Sequence, residues 1–276
     1  MHGVETAAAS TERAADRISR DRRSLRRRAE LLLALTESDL RARYGRGRMR
    51  LLKWLLDPFA LVGVYLLLVS VVLDRPGPAP GLSLACAVVP FQLLMMSVVN
   101  AMGAVDLRRS IILNMSFDRG LIPASGVLTE TIAFAASFLL LVLMTGIYRI
   151  APTAALVWFP LVVAVNILLA ISVAYIASLV GIWFSDLRQF AISFVRTLFF
   201  LAPGLVPLSL IGGEAAVLLR LNPLSGVFEG YRSVLLYGQR PAAWELLVPA
   251  GFAVVLLAIG LPVYAREQRQ FAKVVS

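Results

Sequence analysis

Long apolar runs constrain this chain more than any other feature. Residues 82–105, 122–148, 154–184 and 242–264 each contain at most one charged side chain. An α-helix needs about 20 apolar residues to cross the hydrocarbon core of a bilayer, and all four runs exceed that. A further run, 55–73, opens at Asp57-Pro58, and another, 187–203, ends at Pro203, ahead of Gly204 and Pro207. Hydrophobic residues make up 59% of the chain and charged residues 16%, against the roughly 45–50% and 25% of soluble domains. Too little polar surface is encoded to face water on all sides. The expected fold class is therefore an all-α integral membrane protein with six transmembrane helices, since runs of this length satisfy their backbone only as helices in lipid.

Rare residues exclude several chemistries. The single Cys86 rules out a disulfide within the chain, and the single His2 rules out both a His/Cys zinc site and a Ser-His-Asp arrangement. Lys53 and Lys273 are the two lysines, and neither follows a glycine, so no Gly-Lys-Ser/Thr phosphate loop is present. Any ATP-driven work must draw on a separate subunit. The net charge of +10 invites a nucleic-acid reading, but most of the excess precedes the first apolar run, where cytoplasmic orientation explains it more simply. No nucleic-acid partner is expected.

Residues 1–23 read as a polar, flexible tail and residues 24–276 as the membrane domain. Within that domain, 24–50 form an amphipathic helix suited to the membrane interface, with Leu25, Leu32, Leu33, Leu40 and Tyr44 near helical spacing. Placing the N-terminus inside and crossing six times puts 22 Lys and Arg on the cytoplasmic side and 5 outside. Both termini are thus expected in the cytoplasm of a multi-pass protein of the plasma (inner) membrane.

The broken fifth run is the most informative irregularity. Pro203 and Pro207 remove backbone donors, and the freed carbonyls must be satisfied by protein or water. The region 204–240 is therefore expected to re-enter from the outer face or to line a cavity. Glu130 and Arg196 fall at membrane depth, each roughly 15 Å from the cytoplasmic boundary at 1.5 Å rise per residue. Charges there pair or face water, so both are expected to face the bundle interior, paired with each other or lining a conduit. Trp183, Phe184, Phe190, Phe194 and Phe200 could present ring faces to sugars, or serve as ordinary packing and interfacial aromatics.

These features come in a familiar order. Asp39-Leu40-Arg41-Ala42-Arg43-Tyr44 precedes Trp54 and Asp57-Pro58; Ser110-Ile111-Ile112-Leu113-Asn114 precedes Pro123. Trp183-Phe184-Ser185-Asp186-Leu187-Arg188 is followed by Leu198-Phe199-Phe200-Leu201-Ala202-Pro203, then by Leu221-Asn222-Pro223-Leu224 with Glu229 and Arg232. Over roughly residues 30–272 the chain resembles the transmembrane (permease) subunit of a type-2 ABC exporter, in the branch exporting polysaccharides, O-antigen and teichoic acid. The family usually has Asn-Pro where this chain has Asp57-Pro58, and a lysine near Asn114 is replaced.

The resemblance implies a homodimer of this chain with two copies of a separate nucleotide-binding subunit, which would hold ATP and Mg. This chain itself would bind no cofactor or metal and would not be an enzyme. The substrate would be a glycan on a polyprenyl diphosphate carrier. Arg108, Arg109, Asn114, Asp118 and Arg119 would meet the ATPase. Pro203, Pro207, Asn222, Pro223, Glu229 and Arg232 would form the outer gate, with short gate helices between the fifth and sixth spans. Glu229 and Arg232, three apart, share a helical face and can pair. Two other functions stay open: a small-molecule or drug exporter of the same superfamily, and a membrane-embedded lipid or glycosyl transferase. Scattered carboxylates and the absence of His from every span weigh against the transferase.

Overall fold

The computed structural model describes residues 25–42, 49–68, 79–114 and 117–268. The tail expected at 1–23 and the end of the expected first span, 69–73, lie outside these residues. Every regular element among them is helical. Helix α1 covers 25–42 and α2 covers Met49–Leu67; α3 is Pro80–Leu107, α4 Arg109–Asn114 and α5 Leu121–Ile147. Helix α6 is Phe159–Trp183, α7 Arg188–Leu201, α8 Glu214–Arg220, α9 Pro223–Leu235 and α10 Ala243–Glu267. Short 3-10 turns precede α6 and α7 and follow the break after α7.

Among the described residues, four helical stretches are long and apolar enough to cross a membrane: Pro80–Leu107, Leu121–Ile147, Ala154–Trp183 and Ala243–Glu267. They coincide with four of the expected spans to within a few residues. The chain is a multi-pass membrane protein. Helix α7, with 14 residues, is only about 21 Å long, shorter than a hydrocarbon core of roughly 30 Å.

Helix α3 is the axis of the bundle. Its sequence is apolar on every face, and most of its residues from Gly81 to Val105 are buried, as expected of a helix surrounded by others. Pro80 starts it at a position that needs no backbone donor. Helices α3, α6 and α10 run in one direction and α5 in the other. We call the Pro80 end of α3 upper and the Arg108 end lower. At the upper end, the Gly81 N–H donates to Tyr148 Oη at 3.0 Å, joining α3 to the end of α5. At the lower end, a Cβ on Gly181 would lie 2.2 Å from the Met102 carbonyl oxygen. Only glycine permits α6 to approach α3 that closely. Ala170, Ala174 and Ala177 bury small side chains along the same helix. Such residues matter because lipid offers no hydrophobic drive between spans, so close packing supplies the attraction.

Inter-helix polar ties supplement the packing. Asn166 on α6 donates to the Pro90 carbonyl and to Tyr231 Oη, both at 3.5 Å. An aromatic cluster sits beside them. Phe199 of α7 packs on Phe91 at 5.0 Å, Tyr65 at 5.3 Å and Phe228 at 5.8 Å between ring centroids. It thereby gathers α2, α3, α7 and α9.

Candidate functional site

Polar side chains concentrate at the two ends of α3, and most of the sequence-derived candidates divide between them. At the lower end α3 breaks at Arg108, whose backbone leaves helical geometry at φ −108°, ψ 21°. The Arg108 guanidinium turns inward and is only 7% exposed. It donates to the Ala104 carbonyl at 3.5 Å, to Ser125 Oγ at 3.1 Å and to the Asp39 carboxylate. Arg108 therefore joins α1, α3 and α5 and is not presented to a soluble partner.

Its neighbours in the expected ATPase contact are placed differently. Arg109 is exposed at the start of α4, and Asn114 ends that helix, with a side chain outside the described set. Asp118 is exposed; it accepts the Gly120 N–H at 3.1 Å and lies 3.7 Å from Arg28 of α1. The Arg119 guanidinium donates to the Gln268 carbonyl, and the Arg119 carbonyl accepts Tyr264 Oη at 3.2 Å. This loop is thus fastened to α1 and to the end of α10. Several contributors, Asp39, Asp106, Ser125, Arg188 and Tyr264, were not picked out by sequence reasoning. Arg188, at the start of α7, donates to Asp106 at 2.6 Å and to the Met102 carbonyl at 3.0 Å. Asp39 and Arg188 both lie in the motifs that carry the family resemblance, but nothing in either motif announces its partner.

At the upper end the chain leaves α7 through Ala202, Pro203 and Gly204. The carbonyls of Pro203 and Gly204 point to Arg232 on α9. Arg232 is 0% exposed. Its Nη1 donates to the Pro203 carbonyl and to Glu229 Oε1, each at 2.8 Å; its Nη2 donates to the Gly204 carbonyl at 2.9 Å. Its Nε reaches the Ser83 carbonyl on α3 at 3.2 Å. Glu229, also buried, accepts the Leu208 N–H at 2.9 Å just after Pro207. Guanidinium offers five donors in a fixed fork, and here that fork serves four acceptors from three parts of the chain. Asn222 caps α9 by accepting the Leu224 N–H at 3.0 Å, and Pro223 occupies its first turn. Pro203, Pro207, Glu229 and Arg232 thus form one cluster, with Asn222 and Pro223 at the far end of the same helix. Helix α8, entered through Gly213 at φ +74°, buries no residue.

The conduit candidates separate. Glu130 is 4% exposed between α5 and α3, where it accepts the Asn100 side-chain amide. Arg196 lies on the exposed side of α7. Trp183, Phe184, Phe190, Phe194 and Phe200 are exposed too, Phe190 to 70%. Gln189, Ser193 and Thr197 share that open side of α7. Aromatic rings and hydrogen-bonding groups therefore occupy one strip. Such a strip can stack on the C–H faces of sugars and exchange hydrogen bonds with their hydroxyls.

No family model matches the chain. Curated relatives match it almost end to end. An O-antigen export system permease protein RfbA of Myxococcus xanthus is 28% identical over 245 residues, covering 88% of this chain and 94% of that protein. Two RfbA permeases of the same description from Klebsiella pneumoniae are 23% and 22% identical, each over 89% of this chain and 95% of their own length. The resemblance carried by the motifs is borne out: over nearly nine-tenths of its length this chain is similar to O-antigen export permeases.

Proposed function

We propose that this chain is the permease subunit of an ATP-driven exporter that moves a lipid-linked polysaccharide, of the O-antigen class, out of the cytoplasm. The near-complete match to three O-antigen export permeases carries this reading. The upper end is assigned to the outside and the lower end, with both termini, to the cytoplasm of the plasma (inner) membrane.

Six crossings are proposed, four by the long helices, one by α2 and one by α7 with the break. The α7 crossing is supported by its attachments. Arg188 meets Met102 of α3, while Pro203 and Gly204 share Arg232 with Ser83 of the same helix. Met102 and Ser83 are separated by about 28 Å of helix, close to the thickness of the hydrocarbon core. A strip bearing Arg196, Gln189 and Thr197 at that depth is costly against lipid. A second copy of this chain is proposed to face it, leaving a passage lined by Phe190, Phe194 and Phe200. The outer break with α8 and α9 closes that passage. Exposed Arg109 and Asp118 meet the ATPase, which supplies ATP binding and Mg.

Depletion of the protein tests this reading directly. Lipid-linked glycan should accumulate on the cytoplasmic side, and a P-loop ATPase should co-purify with the tagged chain. Normal surface glycan after depletion, with no internal accumulation, would remove the assignment.

A further inference from the structure

We infer that the lower end of α3 is a distributor of movement: Arg108 couples α4 to α1, and the Arg188–Asp106 pair couples it to α7. The inference rests on the proposed docking of an ATPase at α4 and goes beyond it by naming how displacement leaves that site.

The geometry carries it in three steps. First, α4 is joined to α3 without slack. The Arg108 N–H donates to the Val105 carbonyl at 3.1 Å, and the Ile112 N–H donates to the Arg108 carbonyl at 3.0 Å. Hydrogen bonding thus runs through the break, and α4 cannot shift without displacing the end of α3. Second, that end is fastened to four other helices within two turns. Arg108 holds Asp39 of α1 and Ser125 of α5; Asp106 and the Met102 carbonyl hold Arg188 of α7; Met102 also packs on Gly181 of α6. Third, the other hold on the lower half of α7 comes from partly buried side chains, with Ala191 and Ile192 packed against the core. The helix's two buried side chains, Val195 and Phe199, both lie in its upper half. The lower half of α7 follows α3 through Arg188.

The two couplings differ in character. The Arg108 and Asp39 side chains are largely withdrawn from water, whereas those of Arg188 and Asp106 are 36% and 56% exposed. Low-dielectric surroundings make the first a stiff link, while the second can break and re-form as helices shift. Motion passed to α1 should therefore be obligatory and motion passed to α7 adjustable. These are positioning residues; none is proposed to touch the glycan.

The test uses the full complex with its ATPase in lipid nanodiscs. A nitroxide on Ser193→Cys reports α7 and one on Ser38→Cys reports α1, each read as the distance between the two copies with and without Mg-ATP. Cys86 is fully buried and stays unlabelled. Arg188→Gln should abolish the nucleotide-dependent shift at α7 and preserve the shift at α1. Asp39→Asn should do the reverse. ATP hydrolysis should continue in both while export falls, and the swap Asp106→Arg with Arg188→Asp should restore the α7 shift. Shifts in both variants equal to those of the unsubstituted complex overturn the inference and leave the exporter reading intact. No nucleotide-dependent shift at either label in the unsubstituted complex overturns both.

Discussion

The two ends of α3 handle charge in opposite ways. At the upper end Arg232 is entirely enclosed, and three of its four acceptors are main-chain carbonyls. At the lower end Arg108 and Arg188 each reach a carboxylate on another helix, and one of those pairs is partly exposed to water. The upper arrangement finishes the backbone: it supplies donors that Pro203 and Gly204 cannot find within α7. The lower one connects elements that are each already complete. A charge that completes the backbone resists removal, whereas a charge that links finished elements can be lost without unfolding them.

The contrast sets the order of expected effects. Arg232→Met should be the most damaging change, because it strands three buried carbonyls and leaves Glu229 unpaired; removing one partner of a buried pair costs about 3–5 kcal/mol. Thermal unfolding in detergent should show the loss, and Arg232→Lys should recover only part of it, since ammonium has three donors for four acceptors. Gly181→Ala comes next. Its Cβ would overlap the Met102 carbonyl, and forcing the helices apart should cost about 1–3 kcal/mol, seen as a lower melting temperature. Asp39→Asn keeps a hydrogen-bond acceptor beside Arg108 but removes the charge from a largely buried pair, and should cost about 1–3 kcal/mol. Arg188→Gln should be the mildest for stability, below about 1 kcal/mol, because solvent screens the exposed pair. A larger thermal loss from Arg188→Gln than from Arg232→Met would reverse the comparison.

Much of this architecture is legible in the sequence. The runs at 82–105, 122–148, 154–184 and 242–264 coincide with long helices because uninterrupted apolar sequence has one low-energy arrangement in hydrocarbon. Glu229 and Arg232 were legible as a pair because three residues of helix bring them to one face, and they meet at 2.8 Å. The rest was not local. Arg232 reaches the Ser83 carbonyl and Arg108 reaches Asp39, contacts that link distant parts of the chain. A backbone acceptor leaves no mark in side-chain identity, so three of the four acceptors of Arg232 had no signature to read. Arg108 looked like its exposed neighbour Arg109 because a break in helical geometry, invisible in composition, turns one inward and the other out.

The bare contact between Gly181 and Met102 has a mechanical meaning as well. With no side chain interposed, nothing there can change rotamer to absorb strain, so the two helices meet at a fulcrum. From that point the far tip of α3 is about 32 Å away at 1.5 Å per residue. A tilt of only about 5° around it would swing the tip by roughly 3 Å on the same geometry, about the width of one hydrogen bond, so a modest push below is magnified where the chain must open.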